Sequence, residues 1–258
     1  MPTRNAVEWF NTCLGQYLLE REQNYYDQAV ANVFGYHAMQ IGFSQYPFLR
    51  ANRMPLQFCV GAEAGSAVRG APDFLPIETN SIDLVLLPHI LEFSANPHQI
   101  LREVQRVLMP EGHVIIGGFN PRSLWGLRGL FGSIEDNFPW RGNFIARPRL
   151  KDWLALLDFE ITEDRLCCYT PPFSKEKWLK RFHFMEAAGD RWWRFSGGVY
   201  FLTAVKRVHG MRVIKPEWKD VRAAKRRVAA ISQNARPQKV TGDTSGSRPA
   251  RAARTRAR

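Results

Sequence analysis

The stretch from Asp73 to Leu124, DFLPIETNSIDLVLLPHILEFSANPHQILREVQRVLMPEGHVIIGGFNPRSL, decides the fold. Residues 81–87 form a short and nearly continuous apolar run, which is typical of a strand that is buried on both faces of a parallel sheet. Asn96 and Pro97 predict a helix start, and the apolar face of that helix consists of Ile100, Leu101, Val104, Val107 and Leu108. After the Pro110–Gly112 turn, residues 113–119 predict a second buried strand, which completes a βαβ unit.

Further elements are predicted on both sides of this unit. Residues 1–36 have the spacing of one or two helices, and residues 148–157 have that of an amphipathic helix. Additional strands are predicted at residues 37–42, 55–60, 159–169 and 197–206. Only 12 residues separate Val60 from Asp73, so we expect one helix of the usual doubly wound pattern to be missing. The predicted class is α/β, with a mostly parallel twisted sheet, helices on both faces and an antiparallel last strand.

The same central stretch resembles the class I S-adenosylmethionine-dependent methyltransferases, in particular the type 11 subgroup of small-molecule methyltransferases. The resemblance rests on a combination of short motifs, since any one of them alone is weak. They are Asp73, Leu75-Pro76, Ser81–Val85, His89, Leu91-Glu92, Leu101–Leu108 and Pro110–Gly112. The resemblance implies a Rossmann-like fold over residues 37–208 and S-adenosylmethionine as the cofactor. It also implies that residues 1–36 form a helical segment covering the cofactor site.

The family pattern places a glycine-rich loop after the first strand, where the backbone approaches the cofactor closely. Here the matching residues are Gln40 and Gly42, where the family commonly has an acidic residue and several glycines. Gly42 is therefore expected to contact the cofactor, although a glycine at a strand end also serves as a simple turn. This departure from the pattern motivates a second hypothesis, a catalytically inactive relative with a binding or regulatory role.

Two acidic residues follow the next strand. Glu63 lies 21 residues after Gly42, the separation at which nucleotide-binding α/β folds place the acid that accepts the ribose hydroxyls. A solvated loop glutamate is the equally weighted alternative. Asp73 and Phe74 stand where family members bind the adenine amino group and flank its ring, while Asp73 could instead cap a turn.

Pro88 and His89 follow the strand at residues 81–87 and are expected to line the pocket. His89 is the one candidate for a catalytic base, because an ordinary histidine titrates near neutral pH. A buried structural histidine is the alternative. Glu92 and His98 lie near it in sequence, but no third ligand follows from the spacing, so we predict no metal site.

Residues 120–147 are rich in glycine, arginine and aromatic residues and are predicted to form a lid or insertion. The apolar Leu124–Phe131 segment, with its interspersed arginines, could cap a lipophilic acceptor, touch a membrane surface or pack on the core. Aromatic and basic residues also alternate over residues 175–195. Such mixtures can stack nucleic-acid bases, although buried aromatics beside a solvated charged face are commoner.

The net charge of +12 is concentrated at the C-terminus. Residues 219–258 contain 12 Lys/Arg and two acidic residues, so the preceding residues carry a net charge of only +2. Residues 209–258 are predicted to be a basic and largely disordered tail, through which nucleic acid could bind. An RNA methyltransferase is therefore a third hypothesis.

The lengths of the apolar runs and the spacing of the cysteines indicate which classes of protein can be excluded. The apolar runs are shorter than the roughly 18 residues of a membrane span, and no signal-peptide pattern is present, so a cytoplasmic protein without a transmembrane segment is expected. The four cysteines contain no Cys-x-x-Cys pair, which argues against structural zinc and a disulfide framework. The leading hypothesis is methyl transfer from S-adenosylmethionine to a small-molecule acceptor.

Overall fold

The structure is a computed structural model that describes residues 3–63, 65–131, 138–173, 176–182, 185, 186, 189, 191 and 195–208. A seven-stranded sheet in this part of the chain has the order β3-β2-β1-β4-β5-β7-β6. The strands are β1 His37–Ile41, β2 Leu56–Gly61, β3 Val68–Arg69, β4 Ile82–Pro88, β5 Leu108–Phe119, β6 Phe159–Cys167 and β7 Val199–Lys206. The first five strands pair in parallel, and β7 is antiparallel to both β5 and β6. The predicted fold class is confirmed.

Six α-helices are described beside the sheet. They are α1 Thr3–Phe10, α2 Cys13–Ala31, α3 Pro97–Val107, α4 Leu124–Phe131, α5 Arg147–Leu156 and α6 Glu176–Arg181. None of the helices in the described residues combines the length and apolarity that a membrane crossing requires.

Strand β4 shows how the sheet separates two cores. Its side chains alternate between the two faces, as the two-residue period of a strand requires. Leu84 and Leu86 join the core with α1 and α2, whereas Val85 and Leu87 join the core with α3 and α5. The apolar run predicted from sequence is therefore a strand with two buried faces.

The connections between β1 and β4 are shorter than the usual doubly wound pattern. No helix is present in residues 42–63, which contain the connection from β1 to β2, or in residues 65–81, which lead to β4. The sequence predicted a missing helix in the second of these connections, after β2, and made no such prediction for the first. The link after β1 packs Phe48 and Leu49 into the same core as α2. Helix α2 thus occupies the face that a crossover helix would cover.

Strand β5 begins earlier than predicted. Leu108 already pairs with Ile82, directly after α3 ends at Val107. The register then shifts so that His113 pairs with Leu84, and Glu111 adopts a φ of 64°. The expected Pro110–Gly112 turn is therefore an irregularity within the pairing of β4 and β5 rather than a separate loop.

The break between α1 and α2 has a local cause. Thr12 is the N-cap of α2, and its Oγ1 accepts a hydrogen bond from the Gly15 amide at 3.1 Å and donates one to the Trp9 carbonyl at 2.7 Å. A side chain at Gly15 would clash with the Trp9 backbone. This tight turn places Ala6 of α1 and Glu22 of α2 near the carboxyl ends of the parallel strands.

Candidate functional site

A cleft of about 210 Å³ opens at the carboxyl ends of β1, β2 and β4. In the strand order, β1 lies between β2 and β4, so strands are added outward from β1 in one direction up to β3 and in the other direction from β4 onward. Open α/β sheets bind their ligands at such a switch point. Its lining residues are Ala6, Gly42, Phe43, Gly61, Ala62, Glu63, Pro72, Asp73, Ile90, Phe93, Ser94 and Ala95.

Gly42 ends β1 in a conformation that favours glycine. Its φ is +77°, and a Cβ atom there would lie 2.9 Å from the Ile90 Cδ1 atom. Its amide donates to the Val60 carbonyl at 2.8 Å, which fixes the loop beside the end of β2. The backbone at Gly42 is therefore open to close approach by a ligand.

The side chain of Gln40 holds this loop through hydrogen bonds to its backbone. Its side chain is buried, and Nε2 lies 3.0 Å from the carbonyl oxygens of Gly42, Phe43 and Tyr46. The Oε1 atom accepts a hydrogen bond from the Phe48 amide at 3.2 Å. Because the loop occupies its polar atoms, Gln40 holds the cleft wall in place, while its predicted contact with a cofactor stays a prediction.

Glu63 and Asp73 reach the same cleft from two different loops. Glu63 follows β2, and burial raises the pKa of its carboxyl group. Asp73 lies in the turn closed by the hydrogen bond from the Phe74 amide to the Ala71 carbonyl at 3.0 Å. Among the described residues, no hydrogen bond to the Asp73 carboxylate is found, so it is available to a ligand.

The remaining predicted site residues lie elsewhere. Phe74 is 80% exposed, whereas Pro88 and His89 are buried. None of the three is among the described residues that line the cleft. Gly42, Glu63 and Asp73 are thus the predicted residues that converge, and the roles of the others stay predictions.

His89 lies between two buried carboxylates. Its Nε2 is 2.5 Å from Glu22 Oε1 and its Nδ1 is 3.1 Å from Glu92 Oε2. All three side chains are at most 2% exposed. Glu92 also accepts a hydrogen bond from the Phe119 amide, and the His89 ring stacks on Phe119 with centroids 4.2 Å apart. The cluster joins α2 to the carboxyl ends of β4 and β5.

The two carboxylates around His89 favour its protonated form. Burial lowers the pKa of an imidazole, but the Glu22 charge and the hydrogen bonds to both carboxylates outweigh burial here and raise the pKa of His89 to about 10. For Glu92 burial has the opposite sign and raises the pKa of the carboxyl group, while the hydrogen bond to His89 lowers it. An imidazolium that donates from both nitrogens has no lone pair for a proton. The geometry therefore favours a structural role for His89 over its predicted role as a base.

This pKa shift predicts a pH-dependent stability. The folded pKa of about 10 exceeds the unfolded value of 6.5. The contribution of His89 is therefore complete below about pH 6.5 and disappears as the pH rises towards 10. Urea unfolding from pH 6 to 9 should show wild-type stability falling by about 3 kcal/mol more than that of a His89→Gln variant. Parallel pH profiles for the two proteins would show that His89 is not held protonated.

Glu22 is the member of the buried His89 cluster that the sequence prediction missed. It lies four residues after Leu18 and four before Tyr26, both of which are fully buried. Residues at this spacing share one face of a helix, so Glu22 is a carboxylate on the apolar face of α2. Such a position signals a buried partner, although the sequence does not show which residue supplies it.

The predicted lid region packs against the back of the cleft. Trp125 is buried, and its Nε1 donates to the Thr170 carbonyl at 3.0 Å. The ring of Phe138 lies 4.9 Å from Phe93 and 6.0 Å from Phe43, and these two residues line the cleft. The described parts of residues 120–147 thus support the cleft wall.

The residues considered for a metal site and for nucleic-acid binding are not among the described residues that line the cleft. His98 packs its ring against Trp153 at 3.8 Å, and no group of three metal-ligating side chains occurs among the residues the structure describes. The basic tail and the aromatic residues Phe184, Trp192 and Trp193 lie outside the described residues.

Residues 50–116, from the link before β2 into β5, match the family model described as a methyltransferase domain, of type 11. YafS from Escherichia coli (strain K12) is 35% identical over 145 residues, which cover 55% of this chain. The chain spans 59% of the length of that curated relative. The resemblance to class I methyltransferases stated from the sequence is confirmed.

Solved structures share the fold at low sequence identity. An S-adenosylmethionine-dependent methyltransferase of Thermotoga maritima, described as a possible histamine N-methyltransferase, aligns with a TM-score of 0.56 and 18% identity, over 80% of this chain and 96% of that one. The [4+2]-cyclase SpnF aligns with a TM-score of 0.53 and 16% identity, over 73% of this chain and 81% of SpnF.

Proposed function

We propose that this chain, which has the class I methyltransferase fold, binds S-adenosylmethionine in the cleft and transfers its methyl group to a small-molecule acceptor. The observation that carries the proposal is the convergence of Gly42, Glu63 and Asp73 from three separate loops. They meet at the switch point of the sheet, where this kind of fold binds ligands.

The residues present fit such a cofactor. The Glu63 carboxylate can accept hydrogen bonds from two ribose hydroxyls, and the unpaired Asp73 carboxylate can accept one from the adenine amino group. Gly42 offers backbone without a side chain, and Phe43, Ile90 and Phe93 supply apolar walls. S-adenosylmethionine itself supplies an activated methyl group on a positively charged sulfur.

The protein has two tasks in this reaction. It holds the donor so that a lone pair of the acceptor lies in line with the methyl carbon, and it excludes water. Held in the cleft by Gly42, Glu63 and Asp73, S-adenosylmethionine would supply the methyl group, and the proton released by the acceptor would pass to solvent. A dedicated base is not required for this step, so a buried and protonated His89 is compatible with it.

Calorimetric titration of the full chain with S-adenosylmethionine tests the binding. Asp73→Ala removes one charge-assisted hydrogen bond and should weaken the affinity roughly tenfold. Asp152→Ala, on α5, is the matched control and should leave the affinity unchanged. Absence of heat at millimolar ligand would refute the proposal, and equal affinity of wild type and Asp73→Ala would refute the adenine assignment.

A non-catalytic relative is the second candidate. It is favoured by the single glycine after β1 and by Gln40, which ties that loop to itself. The related fold of SpnF, named as a [4+2]-cyclase, illustrates that one fold supports different chemistry. A chain that binds S-adenosylmethionine but transfers no labelled methyl group to any fraction of a cell extract would fit this candidate.

The same labelling experiment separates the acceptor classes. Label in the low-mass fraction supports a small-molecule acceptor. Label in the RNA fraction supports an RNA methyltransferase, for which the basic tail is the motivating feature.

A further inference from the structure

Large apolar side chains are exposed together around α4 and α6. We define the α4–α6 surface by five such residues, which are 38% to 78% exposed, and by the basic residues among them. The apolar members are Leu124, Leu127, Phe173, Trp178 and Phe195, and the basic members are Arg122, Lys177 and Arg181. Exposed apolar side chains on neighbouring segments of a folded protein mark an interaction site more often than isolated exposed residues do.

Hydrogen bonds join the three segments of the α4–α6 surface. Arg128 of α4 donates to the carbonyl of Pro172, the residue before Phe173. Asn120 Nδ2, at the end of β5, donates to the Phe195 carbonyl at 3.1 Å. These bonds place Arg128 of α4 beside the segment before α6, and the end of β5 beside the segment before β7.

Aromatic packing orders the α6 part of this surface. The ring of Trp178 lies 5.8 Å from Phe173 and stacks on Phe182 with centroids 5.9 Å apart. The Arg181 guanidinium lies 5.8 Å from the centre of the Trp178 ring. Trp178 is therefore held in place although it is 44% exposed.

For the side chains that the structure describes, the exposed charges on this surface share one sign. Among the described side chains of residues 120–131, 171–182 and 195–198, the exposed charged groups are basic. Nearby, Glu186 accepts hydrogen bonds from the Thr170 amide and hydroxyl, each at 3.1 Å, and from Tyr17. Its charge is thus engaged by the protein.

The α4–α6 surface lies at the same edge of the sheet as the cleft. Helix α4 follows the carboxyl end of β5, and β5 neighbours β4, whose carboxyl end borders the cleft. A partner that docks on this surface would therefore lie on the side of the molecule where the cleft opens.

We propose that the α4–α6 surface docks on an anionic phospholipid bilayer. The leucines and aromatic rings enter the interfacial region, and Arg122, Lys177 and Arg181 contact the phosphates of the lipid headgroups. Tryptophan favours this boundary because its ring is apolar and its N–H is polar. The proposal is independent of cofactor binding.

Lipid fits the α4–α6 surface better than nucleic acid does. Leu124 and Leu127 lie one turn apart on α4, and both are about half exposed. Aliphatic side chains gain from burial in a lipid boundary, whereas they do not stack on bases as aromatic rings do.

Vesicle co-sedimentation of the full chain tests the proposal. Wild type should bind vesicles of phosphatidylcholine mixed with phosphatidylglycerol and should bind pure phosphatidylcholine much less. The double variant Leu127→Ser/Trp178→Ala should bind the mixed vesicles roughly tenfold more weakly. Leu156→Ser is the control, since Leu156 is 82% exposed on α5, and its binding should stay within about twofold of wild type.

The comparison also separates binding by the α4–α6 surface from binding by the basic tail, because every variant retains the tail. Equal binding of wild type and the double variant would assign any attachment to the tail and overturn the proposal. Absence of wild-type binding would overturn it too, as would variant-sensitive binding to polyuridylate without binding to vesicles. The charge-reversal variant Lys177→Glu/Arg181→Glu should also weaken vesicle binding severalfold, which tests the surface without changing its apolar residues.

Discussion

Glu22→Ala is expected to lower the free energy of unfolding by about 3–5 kcal/mol at pH 7. The substitution removes the carboxylate 2.5 Å from His89 Nε2 and leaves a buried imidazolium with Glu92 as its remaining partner. Removal of one member of a buried ion pair is strongly destabilising, because the partner charge stays buried without full compensation. The link between α2 and the ends of β4 and β5 is lost at the same time.

Urea unfolding of wild type, Glu22→Ala and Glu20→Ala measures this effect. Glu20 lies on the same helix but is exposed, so its replacement should change stability by less than about 0.5 kcal/mol. If Glu22→Ala proves as mild as the Glu20 control, then the buried cluster does not hold α2 on the sheet as we describe.

Glu63→Ala is expected to weaken S-adenosylmethionine binding about a hundredfold. In the proposed complex the Glu63 carboxylate accepts hydrogen bonds from two ribose hydroxyls. Hydrogen bonds to a charged group contribute about 1.5–3 kcal/mol each. The effect should exceed that of Asp73→Ala, because one bond is lost there. Glu63→Gln should have an intermediate effect, since the amide keeps one acceptor oxygen and loses the charge.

Glu78→Ala provides the matched control for this titration. Glu78 is an exposed loop glutamate and is not among the residues that line the cleft, so its replacement should leave the affinity unchanged. Equal affinities of wild type and Glu63→Ala would place the ribose elsewhere and would support the alternative that Glu63 is a solvated loop residue.

Much of the sheet could be predicted because its signals are local. The apolar run of β4 and the Pro97 helix start each arise within a few residues, and both elements begin and end within one or two residues of expectation. Strand β5 began earlier than predicted because pairing with β4, a tertiary contact, extends it through Pro110.

The site was less predictable because it depends on distant segments. The family resemblance brought Gly42 and Asp73 into consideration, spacing pointed to Glu63, and the three residues do converge. The environment of His89 depends on Glu22, which lies 67 residues away in sequence. Gln40 likewise occupies a family position, but its hydrogen bonds to the loop became visible only once the loop was folded.

A crystal structure of the full chain with S-adenosylhomocysteine tests the central claim most directly. We predict that the ligand lies in the cleft at the ends of β1, β2 and β4, with the ribose hydroxyls on Glu63, the adenine amino group on Asp73 and the amino-acid part beside Gly42. A ligand bound elsewhere, or a complex in which neither carboxylate contacts it, would contradict the account.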